Sequence, residues 1–195
     1  LKYYRDQGCR GIGEVLPQMD MADPKMLNLC KHTEAVGFPM IIDITGCRGD
    51  GGYGLYDDIG LPQLERCLHQ FPKLIIVGHG PGFWAEITRV DPAQPRWGYP
   101  AGPVTEEGAV ARLLRRYPNL WVEISAGSGA NGIRRDPDYG IRFLNEFQDR
   151  IMFGTDVCGP NDPFRMVDYL KELRGNGKLP EIAFQKIAHK NARRL

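Results

Sequence analysis

The sequence feature that most constrains the fold is a short apolar run at residues 74–80, with the sequence LIIVGHG. Its four apolar residues follow one another without polar alternation, which is typical of a strand covered on both faces, as in a parallel sheet. The run ends in His79 between two glycines, which let the backbone turn there. Because ligands bind at the carboxyl ends of parallel strands, His79 is either a site residue or a simple strand terminus.

The same kind of strand recurs along the chain, each time followed by a segment with helical features. The five predicted strands lie within residues 9–16, 39–44, 74–79, 120–124 and 151–156. The predicted helices cover residues 1–7, 24–36, 61–71, 106–117, 138–147, 163–173 and 180–189, and a loop of small residues is predicted at 125–132. Serial βα units predict an α/β fold with a parallel sheet and right-handed crossovers. An open doubly wound sheet and a (β/α)8 barrel both satisfy this pattern.

Two loops are unusual in composition or length. Residues 46–54 are rich in glycine, and residues 80–103 form a long connection that carries Trp84, Trp97 and Tyr99. Loops this long in a compact domain are usually functional or mobile. The three aromatic residues are therefore candidates to line a pocket for a planar or aromatic substrate, although packing at a barrel rim or a subunit interface explains them equally well.

Composition excludes several classes of function. The formal net charge of +1 gives no bulk attraction to nucleic acid or membrane, and no apolar run approaches the ~20 residues of a membrane span. Five widely spaced cysteines without a C-x-x-C pair favour reduced thiols in a cytoplasmic protein over disulfides or a structural zinc site. The 195 residues suit one domain, and the start at Leu1 without methionine predicts further sequence upstream.

Polar residues stand where the predicted strands end. They are Glu14, Asp43, His79, Glu123 with Ser125, and Asp156. In a barrel these ends converge on one mouth, where carboxylates and a histidine can hold a divalent metal that activates water. Without a metal, a histidine there can act as a general acid or base. Structural roles are favoured for Glu14 and Glu123, whereas Asp156 is favoured as a site residue because an aspartate has little other reason to end a buried strand.

Five segments of the chain, in this order, carry a resemblance to a known family. They are residues 37–43 (GFPMIID), 71–80 (FPKLIIVGHG), 117–125 (YPNLWVEIS), 151–156 (IMFGTD) and 191–195 (NARRL). In these segments the sequence resembles the amidohydrolase-related, metal-dependent (β/α)8 TIM barrels, the group that includes the aminocarboxymuconate-semialdehyde decarboxylase-like enzymes. The resemblance implies that residues 1–195 form a partial TIM-barrel domain, roughly its last five βα units, with the fourth to eighth strands.

The resemblance also implies roles for the strand-end residues. Asp156 corresponds to a metal ligand that can assist proton transfer, and His79 to an acid/base residue or a metal ligand. The family's fifth-strand histidine ligand falls at Asp43, which can still ligate a metal through oxygen. The family's first-strand H-x-H pair has no counterpart, since the four histidines are His32, His69, His79 and His189. A divalent metal, zinc or manganese, is implied for the full-length protein, but residues 1–195 alone are predicted to hold no stoichiometric metal.

The implied activity is hydrolysis of a C–N or C–O bond, or non-oxidative decarboxylation of a small carboxylate or aromatic substrate. The expected partner is a small molecule, without nucleic acid or membrane, and assembly into a homo-oligomer remains open. The replacement at Asp43 and the missing H-x-H pair also support an alternative, a non-catalytic barrel relative with a degenerate metal site and a structural or binding role. A third hypothesis, an open-sheet ligand-binding domain, lacks any G-x-G-x-x-G or G-x-x-x-x-G-K-[ST] phosphate loop.

Overall fold

The structure is a computed structural model, and it describes residues 1–46, 48, 53–94, 96 and 98–195. Its centre is a five-stranded sheet in which every strand pairs in parallel with its neighbour in the chain. The strands are β1 (Ile12–Val15), β2 (Met40–Asp43), β3 (Ile76–His79), β4 (Leu120–Glu123) and β5 (Ile151–Met152). The predicted α/β class and the predicted parallel order of the strands are therefore confirmed.

One helix precedes the first strand, and the others fill the connections between the strands or follow the last strand. They are α1 (Lys2–Asp6), α2 (Pro24–Val36), α3 (Pro62–Gln70), α4 (Pro81–Ala85), α5 (Ala109–Arg116), α6 (Ala126–Arg134), α7 (Pro137–Glu146), α8 (Val167–Gly175), α9 (Glu181–Gln185) and α10 (Asn191–Arg194), with a π-helical turn at Lys186–Lys190. The start of α2 illustrates how sequence fixes a boundary. The Asp23 carboxylate accepts a hydrogen bond from the Lys25 amide at 2.8 Å, and Gly37 ends the helix with φ of +79°.

Three elements differ from the sequence-based prediction. One is the short helix α4, which lies within the loop predicted at residues 80–103. The small-residue loop predicted at residues 125–132 is the helix α6, although its glycines lower helix propensity. Close packing accounts for it, because a Cβ at Gly132 would lie 2.6 Å from the Trp84 ring and one at Gly129 would lie 2.5 Å from the Ile124 backbone. The last strand, predicted to reach residue 156, ends at Met152, because the Phe153 amide donates instead to the Ile187 carbonyl at 2.9 Å.

The two faces of the sheet have different environments. One face packs against the helices and supplies most of the buried core, including Met40, Ile42, Ile76, Leu120 and Val122. The opposite face carries a smaller apolar cluster of Val77, Trp121 and Met152, with Ile41, Ile75 and Leu195 packed against it. Since side chains alternate along a strand, the residues two positions beyond Ile41, Val77 and Trp121 lie on this second face, at the carboxyl ends of their strands. No helix in the described part of the chain is long and apolar enough to cross a membrane.

Candidate metal and acid–base site

A cavity of about 210 Å3 opens at the carboxyl ends of the strands. Its lining residues are Glu14, Ile41, His79, Glu123, Ser125, Gly154 and Asp156. These residues come from β1 to β4 and from the segment that follows β5. Parallel register places them together, because it aligns Asp43 at the end of β2 with His79 at the end of β3. The strand-end residues of the sequence therefore meet at one end of the sheet.

The buried imidazole of His79 is held on one side by a carboxylate. Its Nδ1 is hydrogen-bonded to Glu123 Oε1, while the other oxygen of Glu123 accepts the Ser125 amide at 3.0 Å. The Ser125 hydroxyl oxygen lies 3.5 Å from the same ring nitrogen. A carboxylate in this position fixes the orientation and tautomer of a histidine. The free Nε2 consequently faces the two remaining carboxylates, at 3.4 Å from Glu14 Oε1 and 3.8 Å from Asp43 Oδ2.

Asp43 is the most confined group of the site. Its side chain is 0% exposed, and neither carboxylate oxygen has a hydrogen-bond partner among the described residues. Glycine backbone closes around it: a Cβ at Gly54 would lie 2.1 Å from Oδ1, and a Cβ at Gly80 would lie 2.7 Å from Cγ. A buried carboxylate without a hydrogen-bond partner is costly, so Asp43 needs a proton or a nearby positive charge, such as that of protonated His79 at 3.8 Å or of a bound cation.

The proton affinities of the site follow from burial and from the neighbouring charges. Burial raises the pKa of Asp43 to about 7, with His79 opposing this rise and Glu14 adding to it. Burial lowers the pKa of His79, but the hydrogen bond to Glu123 and the charges of Glu123, Glu14 and Asp43 outweigh it and bring the pKa to about 9. Burial, followed by the charges of Asp43 and Glu14, raises the pKa of Tyr53 to about 12.

Three side chains of the cluster have the chemistry and spacing of a cation site. One ligand atom each from Glu14, Asp43 and His79 lies within 4.8 Å of the other two. A set of two carboxylates and one imidazole suits zinc, and its oxygen-rich character also suits manganese. The buried carboxylate of Asp43 without a partner is an independent sign that a positive charge fits here. The residues present therefore fit a divalent cation.

The candidate site residues from the sequence have different positions in the structure. Asp43 and His79 lie together in the cluster of ligands. Asp156 is exposed, has φ of +52° and lines the cavity, but it is not one of the three clustered ligands. Trp84, a candidate substrate-binding residue, is 2% exposed and packs in the core against Phe83 and Phe143. This burial leaves Trp84 without a surface for substrate.

The two other aromatic candidates for substrate binding are Tyr99 and Trp97. Tyr99 is 49% exposed, has φ of +52°, and its ring lies beside Gly127 at the start of α6, where a Cβ would come within 3.0 Å of the hydroxyl. Trp97 lies outside the described residues. Only Tyr99 is thus placed by the structure at an accessible surface near the strand ends.

Glu14 and Glu123, for which the sequence favours structural roles, lie at the candidate site. Both end predicted strands, and both contact His79 in the structure. The sequence contained a signal for Glu123: Trp121 and Glu123 are two residues apart, like Val77 and His79, so these side chains share one face of the sheet. Tyr53 carried no such signal, because it belongs to a polar, glycine-rich loop with no periodicity.

Comparison with known proteins settles the family. The family model for amidohydrolases matches residues 55–195, which is most of the chain. The chain belongs to the amidohydrolase family. A curated relative, the decarboxylase OrsB of Emericella nidulans, is 28% identical over 166 residues, which are 81% of this chain and 45% of that protein. The amidohydrolase chain thus spans less than half the length of the curated relative it matches.

Solved structures agree on the fold. A TIM-barrel protein from Bordetella bronchiseptica is 25% identical with a TM-score of 0.54, and the match covers 91% of this chain and 52% of that one. An amidohydrolase from Burkholderia multivorans with bound zinc is 17% identical with a TM-score of 0.56, covering 99% of this chain and 68% of that one. The 5-carboxyvanillate decarboxylase of Sphingomonas paucimobilis is 17% identical with a TM-score of 0.53, covering 95% and 56% respectively. The described sheet and helices are therefore a partial TIM barrel.

Proposed function

We propose that the protein containing this chain is a metal-dependent enzyme that decarboxylates a small, planar carboxylate without an oxidant. The observation that carries the proposal is the fully buried Asp43 carboxylate, which has no hydrogen-bond partner among the described residues and faces His79 and Glu14. A site of this kind is unfavourable unless a proton or a cation completes it. A protein gains nothing in stability from maintaining it, so function is the better explanation.

Glu14, Asp43 and His79 would hold the cation, and Glu123 would orient His79 by accepting a hydrogen bond from its Nδ1. When bound, a divalent cation supplies Lewis-acid polarisation of substrate oxygens. The remaining chemistry belongs to residues of the chain. Asp156 and Glu123 are the two carboxyl groups that line the cavity outside the clustered ligands. Glu123 is hydrogen-bonded to His79, so we assign Asp156 to face the substrate and to move a proton.

Decarboxylation gives Asp156 a defined task. The bond between the substrate carbon and its carboxylate breaks, carbon dioxide leaves, and the electron pair remains on the substrate carbon. Asp156, in its protonated form, donates a proton to that carbon and is left as a carboxylate. General acid catalysis of this kind contributes about 10²–10⁴-fold to a rate. The curated relative is itself named a decarboxylase, which supports this reaction over hydrolysis.

Two aromatic side chains near the cluster of ligands support a planar substrate. Tyr99 is half-exposed, and Tyr53 is close enough to the cluster for the charges of Asp43 and Glu14 to raise the pKa of its hydroxyl. Flat, amphipathic rings stack on planar ligands and keep a hydroxyl for hydrogen bonding. Trp97 remains a proposal as a third contact, while the buried Trp84 is not included.

Hydrolysis of a C–N or C–O bond is the second candidate, and one observation favours it. Burial brings the pKa of Asp43 to about 7, and a carboxylate with such a pKa is suited to act as a general base near neutral pH. This role competes with cation binding by the same oxygens. Hydrolysis is therefore the weaker proposal.

The test uses the complete protein with its metal, followed by release of carbon dioxide from a panel of hydroxylated aromatic carboxylates. His79→Ala and Asp156→Asn should each lower turnover by about 10²-fold or more while circular dichroism stays unchanged. Glu106→Gln is the matched control, because Glu106 is an exposed carboxylate paired with Arg89. Near-wild-type turnover in either site variant would contradict the assigned roles. A wild-type protein that binds no ion on zinc or manganese titration, and that stays inactive on the whole panel with either metal present, would instead support the non-catalytic relative.

Elemental analysis of residues 1–195 addresses the metal directly. The prediction of no stoichiometric metal counted only Asp43, His79 and Asp156 as ligands, and Glu14 adds a further ligand in contact distance. About one tightly held zinc or manganese ion per chain would show that this cluster suffices. Metal bound only by the complete protein would show that other segments are needed.

A further inference from the structure

Arg96 is a buried arginine in the connection between α4 and α5. It is 7% exposed, and its guanidinium forms an ion pair with the buried Glu86, at 3.1 Å between Nη1 and Oε1. Its other partners are backbone carbonyls of a different connection: Nη1 donates to Asp58 at 3.4 Å, and Nη2 donates to Gly46 at 2.7 Å and to Asp57. A planar guanidinium with several fixed donors is well suited to joining two segments in this way.

Those carbonyls belong to the connection between β2 and α3. We call its described end, residues 53–60, the returning segment. Glu86 Oε1 also accepts the Gly60 amide at 3.0 Å, so the buried ion pair holds the segment at its far end as well. The Asp57 carboxylate in turn accepts the amides of Gln63 and Leu64, at 3.0 and 2.8 Å, and thereby caps the start of α3.

The returning segment runs directly past the site. The Leu55 amide donates to the Asp43 carbonyl at 2.8 Å, and the Thr45 amide donates to the Leu55 carbonyl at 2.9 Å. This pairing brings Gly54 so close to Asp43 that a Cβ there would lie 2.1 Å from Oδ1. The returning segment therefore shields the Asp43 carboxylate from solvent on one side.

We infer that Arg96 is a positioning residue of the cation site: by holding the carbonyls of Gly46, Asp57 and Asp58, it keeps Gly54 against the Asp43 carboxylate. Its own charge is matched by Glu86, so it acts on the site through geometry and not through net charge. The importance of this role for catalysis rests on the proposed function of Asp43 as a cation ligand. The placement of the returning segment by Arg96 does not depend on that proposal.

Hydrogen exchange of the metal-free protein tests the placement. In Arg96→Ala, the amides of Leu55 and Thr45 should exchange about tenfold faster or more, since hydrogen bonds from a charged donor are lost. Added guanidinium, which fits the vacated space, should restore slow exchange. The Ile124 amide, which donates to the Met152 carbonyl within the sheet, should keep its protection.

Arg89→Ala is the matched control, because Arg89 lies in the same connection but is 73% exposed and pairs only with Glu106 among the described acidic residues. It should leave exchange at Leu55 unchanged. If Arg96→Ala does not fold, Arg96→Lys keeps a charge beside Glu86 but not the planar fork, and should accelerate exchange at Leu55 in the same direction.

Wild-type exchange at Leu55 and Thr45 in the Arg96 variant would overturn the inference. Equal acceleration at Ile124 would also overturn it, because Arg96 would then support the fold in general. A zinc titration of the same samples separates the two proposals. If the wild type binds no zinc while Arg96→Ala speeds exchange only in the returning segment, the proposed function fails and the positioning role of Arg96 stands. If zinc binding is weaker in Arg96→Ala and guanidinium restores it, the proposed function and the positioning role are both supported.

Discussion

Replacing Asp43 by asparagine should stabilise the metal-free protein at alkaline pH, although it changes a fully buried residue. Asparagine has nearly the same shape as aspartate, and it removes a charge that has no hydrogen-bond partner among the described residues. Burial raises the pKa of Asp43 from 3.8 to about 7, so the folded protein binds this proton more tightly than the unfolded chain does. The wild type consequently loses stability as pH rises from about 4 to about 7, and the whole loss is present above pH 7.

The size of the effect follows from the same two pKa values. A rise in the pKa of Asp43 from 3.8 to about 7 corresponds to a free-energy difference of roughly 4 kcal/mol, at about 1.4 kcal/mol for each tenfold change in proton affinity. The gain measured in Asp43→Asn will be smaller, because the ionised carboxylate also attracts the protonated His79 and the new amide needs partners of its own. We expect the variant to be more stable by about 2–4 kcal/mol at pH 8 and nearly equal to the wild type at pH 4.

Urea unfolding in the presence of EDTA, followed by tryptophan fluorescence between pH 4 and pH 8.5, measures this difference. Asp168→Asn serves as the control, since Asp168 is an exposed aspartate in the first turn of α8, and it should change stability by less than about 0.5 kcal/mol. Saturating zinc should reverse the order, because only the wild type keeps all three ligands. An Asp43→Asn protein that is less stable than the wild type at pH 8 in EDTA would refute the reasoning, since the carboxylate would then have a stabilising partner.

Two further predictions concern neighbours of this residue and the packing of α6. Glu123→Gln should lower the pKa of His79 from about 9, which NMR of the ring protons measures. In the wild type, His79 stabilises the fold fully below its unfolded pKa, and this stabilisation is lost as pH rises through about 9; the variant should lack it. An unchanged titration of His79 would contradict the assigned hydrogen bond. Gly132→Ala should destabilise the protein by about 1–3 kcal/mol in thermal or urea unfolding, because the new Cβ would lie 2.6 Å from the Trp84 ring, whereas the control Gly175→Ala meets no atom within 4 Å and should be neutral or stabilising.

The fold was largely predictable because its strongest signals are local. The strand at Ile76–His79 follows from an uninterrupted apolar run, and the start of α2 follows from Asp23 and Pro24. The helix α6 was not predictable from its glycines, because contact with Trp84 and Ile124 overrides low helix propensity. The end of β5 at Met152 depends on a hydrogen bond to Ile187 in the distant C-terminal helical segment, which no local pattern contains.

The site was predictable in outline but not in its electrostatics. Its position at the strand ends followed from the parallel order, and Asp43 and His79 were identified there from the sequence. The charge balance was not visible, because the proton affinity of His79 depends on Glu123, which lies 44 residues further along the chain. The roles of Trp84 and Tyr99 also required the structure, since an aromatic residue in a loop has the same sequence signature whether it is buried or exposed.

The glycine backbone around Asp43 limits which side chain can occupy position 43. An imidazole is larger than a carboxylate, and the backbone at Gly54 and Gly80 leaves no room for added atoms. The three positions therefore form one sterically matched unit, in which the identity of each residue limits the other two. A histidine at position 43 would require the backbone at Gly54 and Gly80 to move, so the size of this side chain and the path of the neighbouring backbone are coupled.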